Sequence, residues 1–147
     1  MLTFDTNILV YAADRQAGAR HVTSAKLLGT AVSANAALNE QSLIEFVHVV
    51  TRKQKLPLSQ ADAFIRAWLG SFALLTSPAT IIDDTMSLSS TYALSIWDAH
   101  MLALCAGNGC GVLLSEDLAD GAVYGGVHVL NPFNPKNAQP IGRLLLP

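Results

Sequence analysis

The sequence predicts an α/β fold, a three-layer α/β/α sandwich with a mainly parallel central sheet. Three observations carry that reading. Short apolar stretches such as LTF, GVLLS and VHVL have strand length, and they alternate with longer segments whose apolar residues recur at helical spacing. Such alternation implies crossover units, which lay parallel strands side by side and cover both faces of the sheet with helices. The 147 residues amount to one domain, long enough to bury a core without disulfides or a structural metal.

Residues 2–5 read as the first strand, and ILVYAAD as a helical or turn segment after it. A helix is predicted from about Arg20 to Leu28, followed by a short strand at Ala31 to Ser33. NEQSLIEFVHVVTRK sets Leu43, Phe46, Val47 and Val50 at helical spacing, and Pro57 closes that unit. Ser59 is the expected N-cap of the next helix, paired with Asp62 in a capping-box-like arrangement, and this helix runs through Trp68 to about Phe72. Ala73 to Thr76 is predicted as a strand and Thr80 to Tyr92 as a helix. SIWDAHMLALCAGNG is a helix ending at Gly107 or Gly109, GVLLS a buried strand, and VHVL the last strand. The domain is expected to span residues 1–133, with a Pro-rich C-terminal tail at 134–147.

Hydrophobic residues make up 51% of the chain and its mean hydropathy is +0.37, yet no apolar run approaches the ~18 residues of a membrane span. The extra apolar surface points to a protein partner. Asp5 falls where a signal sequence would be uniformly apolar, so a cytoplasmic location is expected. In that reducing compartment Cys105 and Cys110 read as core thiols. The net charge of −2 argues, taken alone, against nucleic acid. Setting four of the 11 acids aside in one metal site leaves seven against nine basic residues, a balance of +2. Arg15 and Arg20, and then Arg52, Lys53 and Lys55 in TRKQK, form clusters suited to phosphate contacts.

Ligands of open parallel sheets bind outside the carboxyl ends of the strands. Asp5 ends the first strand, and Glu116 and Asp117 follow GVLLS in the same way. Glu45 lies on a polar helical stripe with Gln41, His48 and Arg52, which can also simply face water. Asp98 precedes the apolar helix AHMLALCA, where an acid can cap free N–H groups; Asp117 can serve a turn, and Asp120 beside Gly121 reads as one. Together, Asp5, Glu45, Asp98 and Asp117 would converge on one crevice. Carboxylates so gathered repel one another and lose water, and hard divalent cations relieve both penalties. An all-oxygen set favours Mg²⁺ or Mn²⁺ over zinc, and such ions suit phosphoryl chemistry.

From FDTNILVYAAD through LIEFVHVVTRK and SIWDAHMLALCAGNGC to LLSEDLADGAVYGGVHVLNPF, the sequence resembles PIN-domain ribonucleases, specifically VapC-type toxins of bacterial toxin–antitoxin pairs. The resemblance implies a PIN-like parallel sheet flanked by helices, dependence on Mg²⁺ or Mn²⁺, and endonucleolytic hydrolysis of RNA by metal-activated water. It also implies an antitoxin partner and suits a homodimer. By position, Asp5, Glu45, Asp98 and Asp117 match the family's acidic site, while Thr6, Asn7 and Ser115 match neighbouring polar positions. Glu40, Glu116 and Asp120 stand beside this set, and His48 and His100 read as structural. Arg15, Arg20, Arg52, Lys53 and Lys55 are the RNA-backbone candidates. Two alternatives remain: a haloacid-dehalogenase-like phosphatase with Asp5 as nucleophile, in which Asn7 replaces the usual second Asp, and a non-catalytic RNA- or protein-binding module of the same fold.

Overall fold

The structure, a computed structural model, describes residues 1–146. Strand β1 (Leu2–Phe4) lies parallel to β4 (Val112–Leu114), and β4 lies parallel to β6 (Val127–Leu130), against which β5 (Val123–Tyr124) runs antiparallel. On the other side of β1, a parallel bridge between Leu2 and Ala36 leads into β2 (Ala37–Asn39), which pairs in parallel with β3 (Ala73–Leu75). The strand order across that bridge is 3-2-1-4-6-5. This is a mainly parallel central sheet flanked by helices, as the sequence predicts.

The helices are α1 (Thr6–Ala13), α2 (Ala19–Ala31), α3 (Glu40–Arg52), α4 (Leu58–Leu69), α5 (Ile81–Tyr92), α6 (Ile96–Gly107) and α7 (Ala138–Leu144). One core unites Phe4, Ile8, Leu9, Leu38, Phe46 and Leu114, and α4 closes over it through the edge-to-face contact of Phe46 with Trp68 at 4.8 Å. A second core unites Met101, Leu102 and Cys105 with Leu113, Val127 and Val129. Helix α6 is buried at Met101 through Cys105, which is why its sequence is apolar nearly all round. Cys105 and Cys110 are both buried free thiols. No helix among the described residues is long and apolar enough to cross a membrane.

Several element boundaries differ from the sequence reading. No strand forms at 31–33, because α2 continues to Ala31, which is fully buried, and the strand is the wholly buried Ala37–Asn39 instead. Ser59 does not cap α4. Pro57 occupies the cap position with its fixed φ, so the helix starts at Leu58 and Asp62 pairs with Arg66 at 2.7 Å. Helix α4 stops at Leu69 rather than near Phe72.

The stretch read as a tail is helical and packs on the domain. Ile141 and Leu145 belong to the larger core, and Asp120 accepts hydrogen bonds from the Asn131 N–H at 2.8 Å and from Nδ2 of Asn134 and of Asn137 at 2.7 Å. Those bonds hold the Asp120 carboxyl below its ordinary value, the Asn131 N–H contributing most. Pro147 lies outside the described residues.

Candidate active site

The segment DTN performs three local tasks at the carboxyl end of β1. Asp5 leaves the strand with extended backbone and caps α1, its Oδ1 accepting from the Thr6 N–H at 2.6 Å, while its own N–H donates to the Leu114 carbonyl at 2.9 Å. One turn of sheet and one turn of helix thus fix the carboxylate between them. Its second oxygen accepts from Ser115 Oγ at 2.6 Å. Thr6 Oγ1 donates to Glu45 Oε2 at 2.9 Å, and Asn7 Nδ2 donates to Asp117 Oδ2 at 2.6 Å. Three consecutive residues therefore reach three different parts of the crevice.

Glu45 is held from a second direction by Gln41, one helical turn earlier on α3, whose Nε2 donates to Oε1 at 2.8 Å and to the Trp97 carbonyl at 3.1 Å. His100 Nδ1 donates to Gln41 Oε1 at 2.6 Å, the amide oxygen fixing the tautomer. The start of α3 is itself anchored to β1. Buried Asn39 accepts from the Ser42 N–H at 2.7 Å and donates to the Phe4 carbonyl at 3.0 Å, which also accepts from Ser42 Oγ at 2.9 Å. Asp98 lies in the first turn of α6. The cap there is Ser95 rather than Asp98, with the Asp98 N–H donating to Ser95 Oγ at 3.1 Å and that hydroxyl donating back to Asp98 Oδ2 at 2.7 Å.

Repulsion links neighbouring acids pairwise, Asp5 with Asp117 and Glu45, and Asp117 with Asp98. Asp5, only 8% exposed, has its carboxyl pushed up to about 6, chiefly by burial, against the lowering hydrogen bonds from Ser115 and Thr6 and with added repulsion from Asp117 and Glu45. Asp117 is raised by partial burial and by repulsion from Glu116 and Asp98. Their hydrogen-bond partners are hydroxyls, amides and backbone N–H groups. Among the described residues, the only ion pairs are Arg20 with Glu116 and Arg66 with Asp62. The four acids carry their mutual repulsion without a side-chain cation.

This donor set is all oxygen, which fits Mg²⁺ or Mn²⁺. Among the described residues no three His, Cys, Asp or Glu side chains are grouped tightly enough to enclose an ion unaided.

The remaining acids are engaged elsewhere. Glu40 accepts from the Ser77 N–H at 3.0 Å and from the Ser77 hydroxyl, and Glu116 is bound by Tyr11 and Arg20. Beside Glu45 a groove of about 780 Å³ is lined by Gln41, Ile44, His48, Trp97 and His100, with Trp97 69% exposed. Arg15, Arg52, Lys53 and Lys55 are exposed at the far ends of α1 and α3, roughly 12 Å along the helix axes from the acids. Gln54 approaches Asp14 there to 3.5 Å, bringing the two basic segments side by side. Sequence reasoning passed over Asn39, Ser42 and Ser95. The signal for Asn39 is an Asn directly before a helical pattern with a polar residue at its third position.

The family model described as PIN domain matches residues 2–119. No curated protein matches the chain in sequence. Among solved structures, the chain resembles Mycobacterium tuberculosis VapC20, described as a sarcin-ricin loop cleaving toxin, at 17% identity and a TM-score of 0.62, over 77% of this chain and 87% of that one. It resembles a toxin–antitoxin complex from Klebsiella pneumoniae at 22% identity and TM-score 0.64, covering 90% and 98%. VapBC2 from Rickettsia felis, bound to a DNA fragment from its promoter, aligns at 14% identity and TM-score 0.63, covering 88% and 97%. These similarities concern the fold.

Proposed function

We propose, starting from the fact that this chain belongs to the PIN-domain family, that it is a metal-dependent endoribonuclease and the toxin of a toxin–antitoxin pair. The observation that carries the reading is the group of four carboxylates around the strand ends, each held by neutral donors only. Asp5, Asp98 and Asp117, with Glu45 directly or through water, would hold Mg²⁺ or Mn²⁺. When bound, such an ion makes water nucleophilic near neutral pH and offsets charge on the oxygen that departs from phosphorus.

The chain's own part is positioning. Ser115, Thr6 and Asn7 each fix the direction of one carboxylate, so the set is ordered before any substrate arrives. The groove beside Glu45 offers the exposed Trp97 face to an unpaired base next to the scissile bond. Arg15, Arg52, Lys53 and Lys55 contact backbone phosphates farther along the strand, at a distance that leaves the cleaved phosphate to the acids.

An RNA target agrees with the VapC20 likeness, and an antitoxin partner with the likeness to toxin–antitoxin complexes. Exposed apolar residues such as Ile82 and Met86 on α5, 68% and 58% exposed, suit a homodimer contact. The reaction belongs in the cytoplasm, where RNA is available. A phosphatase with Asp5 as nucleophile is disfavoured, because Asn7 stands where that motif has its second Asp, and its amide is turned onto Asp117.

The test compares partner-free wild-type protein with Asp5→Asn on structured cellular RNA in Mn²⁺, in Mg²⁺ and in chelator. Cleavage by wild type only, and only with metal, is the expected outcome. RNA binding without cleavage in either metal would move the assignment to a binding module.

A further inference from the structure

Between Ser115 and Asp117, Glu116 points away from the acids into a separate cluster. Its Oε1 accepts from Tyr11 Oη at 2.5 Å, and its Oε2 accepts from Arg20 Nη2 at 2.7 Å and Nε at 3.2 Å. The Arg20 guanidinium lies 5.6 Å from the Tyr11 ring centre and 5.1 Å from that of Phe133, and those rings meet edge to face at 5.6 Å. Four segments meet here: α1, α2, the turn after β4 and the segment after β6. The Glu116 side chain is 13% exposed and that of Arg20 50%.

Such an arrangement suits arginine. A guanidinium can place two N–H groups on one carboxylate oxygen while its charge lies near two aromatic rings. It also accounts for Glu116 chemically, since both oxygens are bonded and its charge is paired.

We propose that Arg20, Tyr11 and Glu116 form a clamp that positions Asp117, and that neither Arg20 nor Glu116 acts as an RNA or metal contact. The inference rests on the nuclease reading above, in which Asp117 holds the cation. Asp117 is an exposed residue on a turn, so its place depends on what pins that turn. On one side Ser115 Oγ accepts from the Asp117 N–H at 3.1 Å and donates to Asp5; on the other the clamp holds Glu116 to two helices. Asn7 then orients the carboxylate itself. Release of the clamp leaves Ser115 and Asn7 to hold a turn that now moves, and cation affinity falls because one ligand is no longer preplaced. Partners behind a metal ligand commonly change affinity by about 10–100-fold.

The experiment measures Mn²⁺ binding to RNA-free protein by calorimetry and by the electron paramagnetic resonance of free Mn²⁺, for wild type, Arg20→Ala, Tyr11→Phe, Glu116→Ala and Glu116→Gln. Cleavage kinetics follow in parallel on one RNA that the wild type cuts. Arg20→Ala, Tyr11→Phe and Glu116→Ala are expected to weaken Mn²⁺ binding about tenfold or more and to lower kcat, with KM for RNA within about threefold. Glu116→Gln, whose amide can still accept from Arg20 and meet Tyr11, retains affinity within about threefold.

A raised KM with unchanged Mn²⁺ affinity in Arg20→Ala, together with a shallower salt dependence, would make Arg20 an RNA contact and overturn the clamp. Equal loss in Glu116→Gln and Glu116→Ala would make Glu116 a metal ligand, with the same consequence. Tyr11→Phe keeps the ring and serves if Arg20→Ala fails to fold. Wild-type protein that neither binds Mn²⁺ nor cuts RNA defeats the nuclease reading itself, a result seen before any variant is made.

Discussion

Replacing Asp5 by Asn should make the protein more stable and inactive, and the gain in stability can be worked from the site. Burial and its acidic neighbours hold the Asp5 carboxyl at about 6 against an ordinary 3.8. Between those values the folded chain keeps a proton that the unfolded chain has released. Stability therefore falls as pH rises through that window, and the penalty is complete above it. At about 1.4 kcal/mol per tenfold change, ionised Asp5 disfavours the folded state by roughly 3 kcal/mol at pH 7.5.

Asn resembles the protonated acid and escapes this penalty. Its one amide oxygen can keep the bond from the Thr6 N–H, while the Nδ2 in place of the second oxygen cannot accept from Ser115, at a loss of about 1 kcal/mol. The net gain is about 2 kcal/mol, which for a chain of this size raises Tm by roughly 4–8 °C. Scanning calorimetry in chelator at pH 7.5 and pH 4 measures both ends. The Asn variant should melt higher at pH 7.5 and lose that advantage at pH 4, where wild-type Asp5 is protonated in the folded chain. Mn²⁺ should then raise the wild-type Tm by mass action and leave the variant where it was. An Asn variant that is no more stable at pH 7.5, or one with the same advantage at both pH values, refutes the claim that Asp5 is strained by its own charge.

Three further outcomes test other joints of the structure. Asn39→Ala removes the α3 cap and a buried donor to the Phe4 carbonyl, and should cost about 2–4 kcal/mol in urea unfolding while lowering cleavage through displaced Glu45. Ile141→Ala should cost about 2–4 kcal/mol, because the side chain is 3% exposed in the larger core; a change below about 0.5 kcal/mol would mean that α7 does not stabilise the domain. Ile82→Glu combined with Met86→Glu alters two exposed side chains and should shift Tm little, while the homodimer proposed above predicts a dimer for wild type and a monomer for the variant in light scattering.

The sheet was legible because its strands are short apolar runs between helical patterns, and β1, β4 and β6 fall where those runs lie. β2 was misplaced because three residues, Ala37, Leu38 and Asn39, carry almost no periodicity, and Asn39 reads naturally as part of the helix it caps. Two strand-end acids and two helix acids stand out in the sequence because carboxylates brought to one crevice repel one another and need a cation. The neighbours that aim them were less visible. Gln41, Ser42 and Ser95 are common residue types whose roles depend on partners 56, 38 and three residues away, and only the last of these separations is local. Arg20 illustrates the same limit. In the sequence it joins Arg15 as a loose basic cluster, but the fold sends it to a glutamate 96 residues further on.

Neutral donors hold Glu40 and Asp120 as well as the four acids, so what marks Asp5 and Asp117 is that burial and neighbouring carboxylates push both up, whereas hydrogen bonds hold Asp120 down. Glu116 and Asp62 face guanidinium groups, which neutralise them and remove any need for another cation. Asp5, Glu45, Asp98 and Asp117 are held by Ser115, Thr6, Gln41, Ser95 and Asn7, which orient an oxygen without cancelling its charge. A protein selected for stability alone would gain by placing an Arg or Lys among those four, since each unit of unrelieved repulsion raises the free energy of the folded state. The pairing of Arg20 with the adjacent Glu116 shows that a cation can be accommodated one residue from the site. Its guanidinium is turned onto Glu116 by Tyr11 and Phe133, so the turn is fixed while Asp117 keeps its charge. Fixed direction with retained charge is what an all-oxygen cation site requires, and it is also why the same arrangement should destabilise the protein when no cation is supplied.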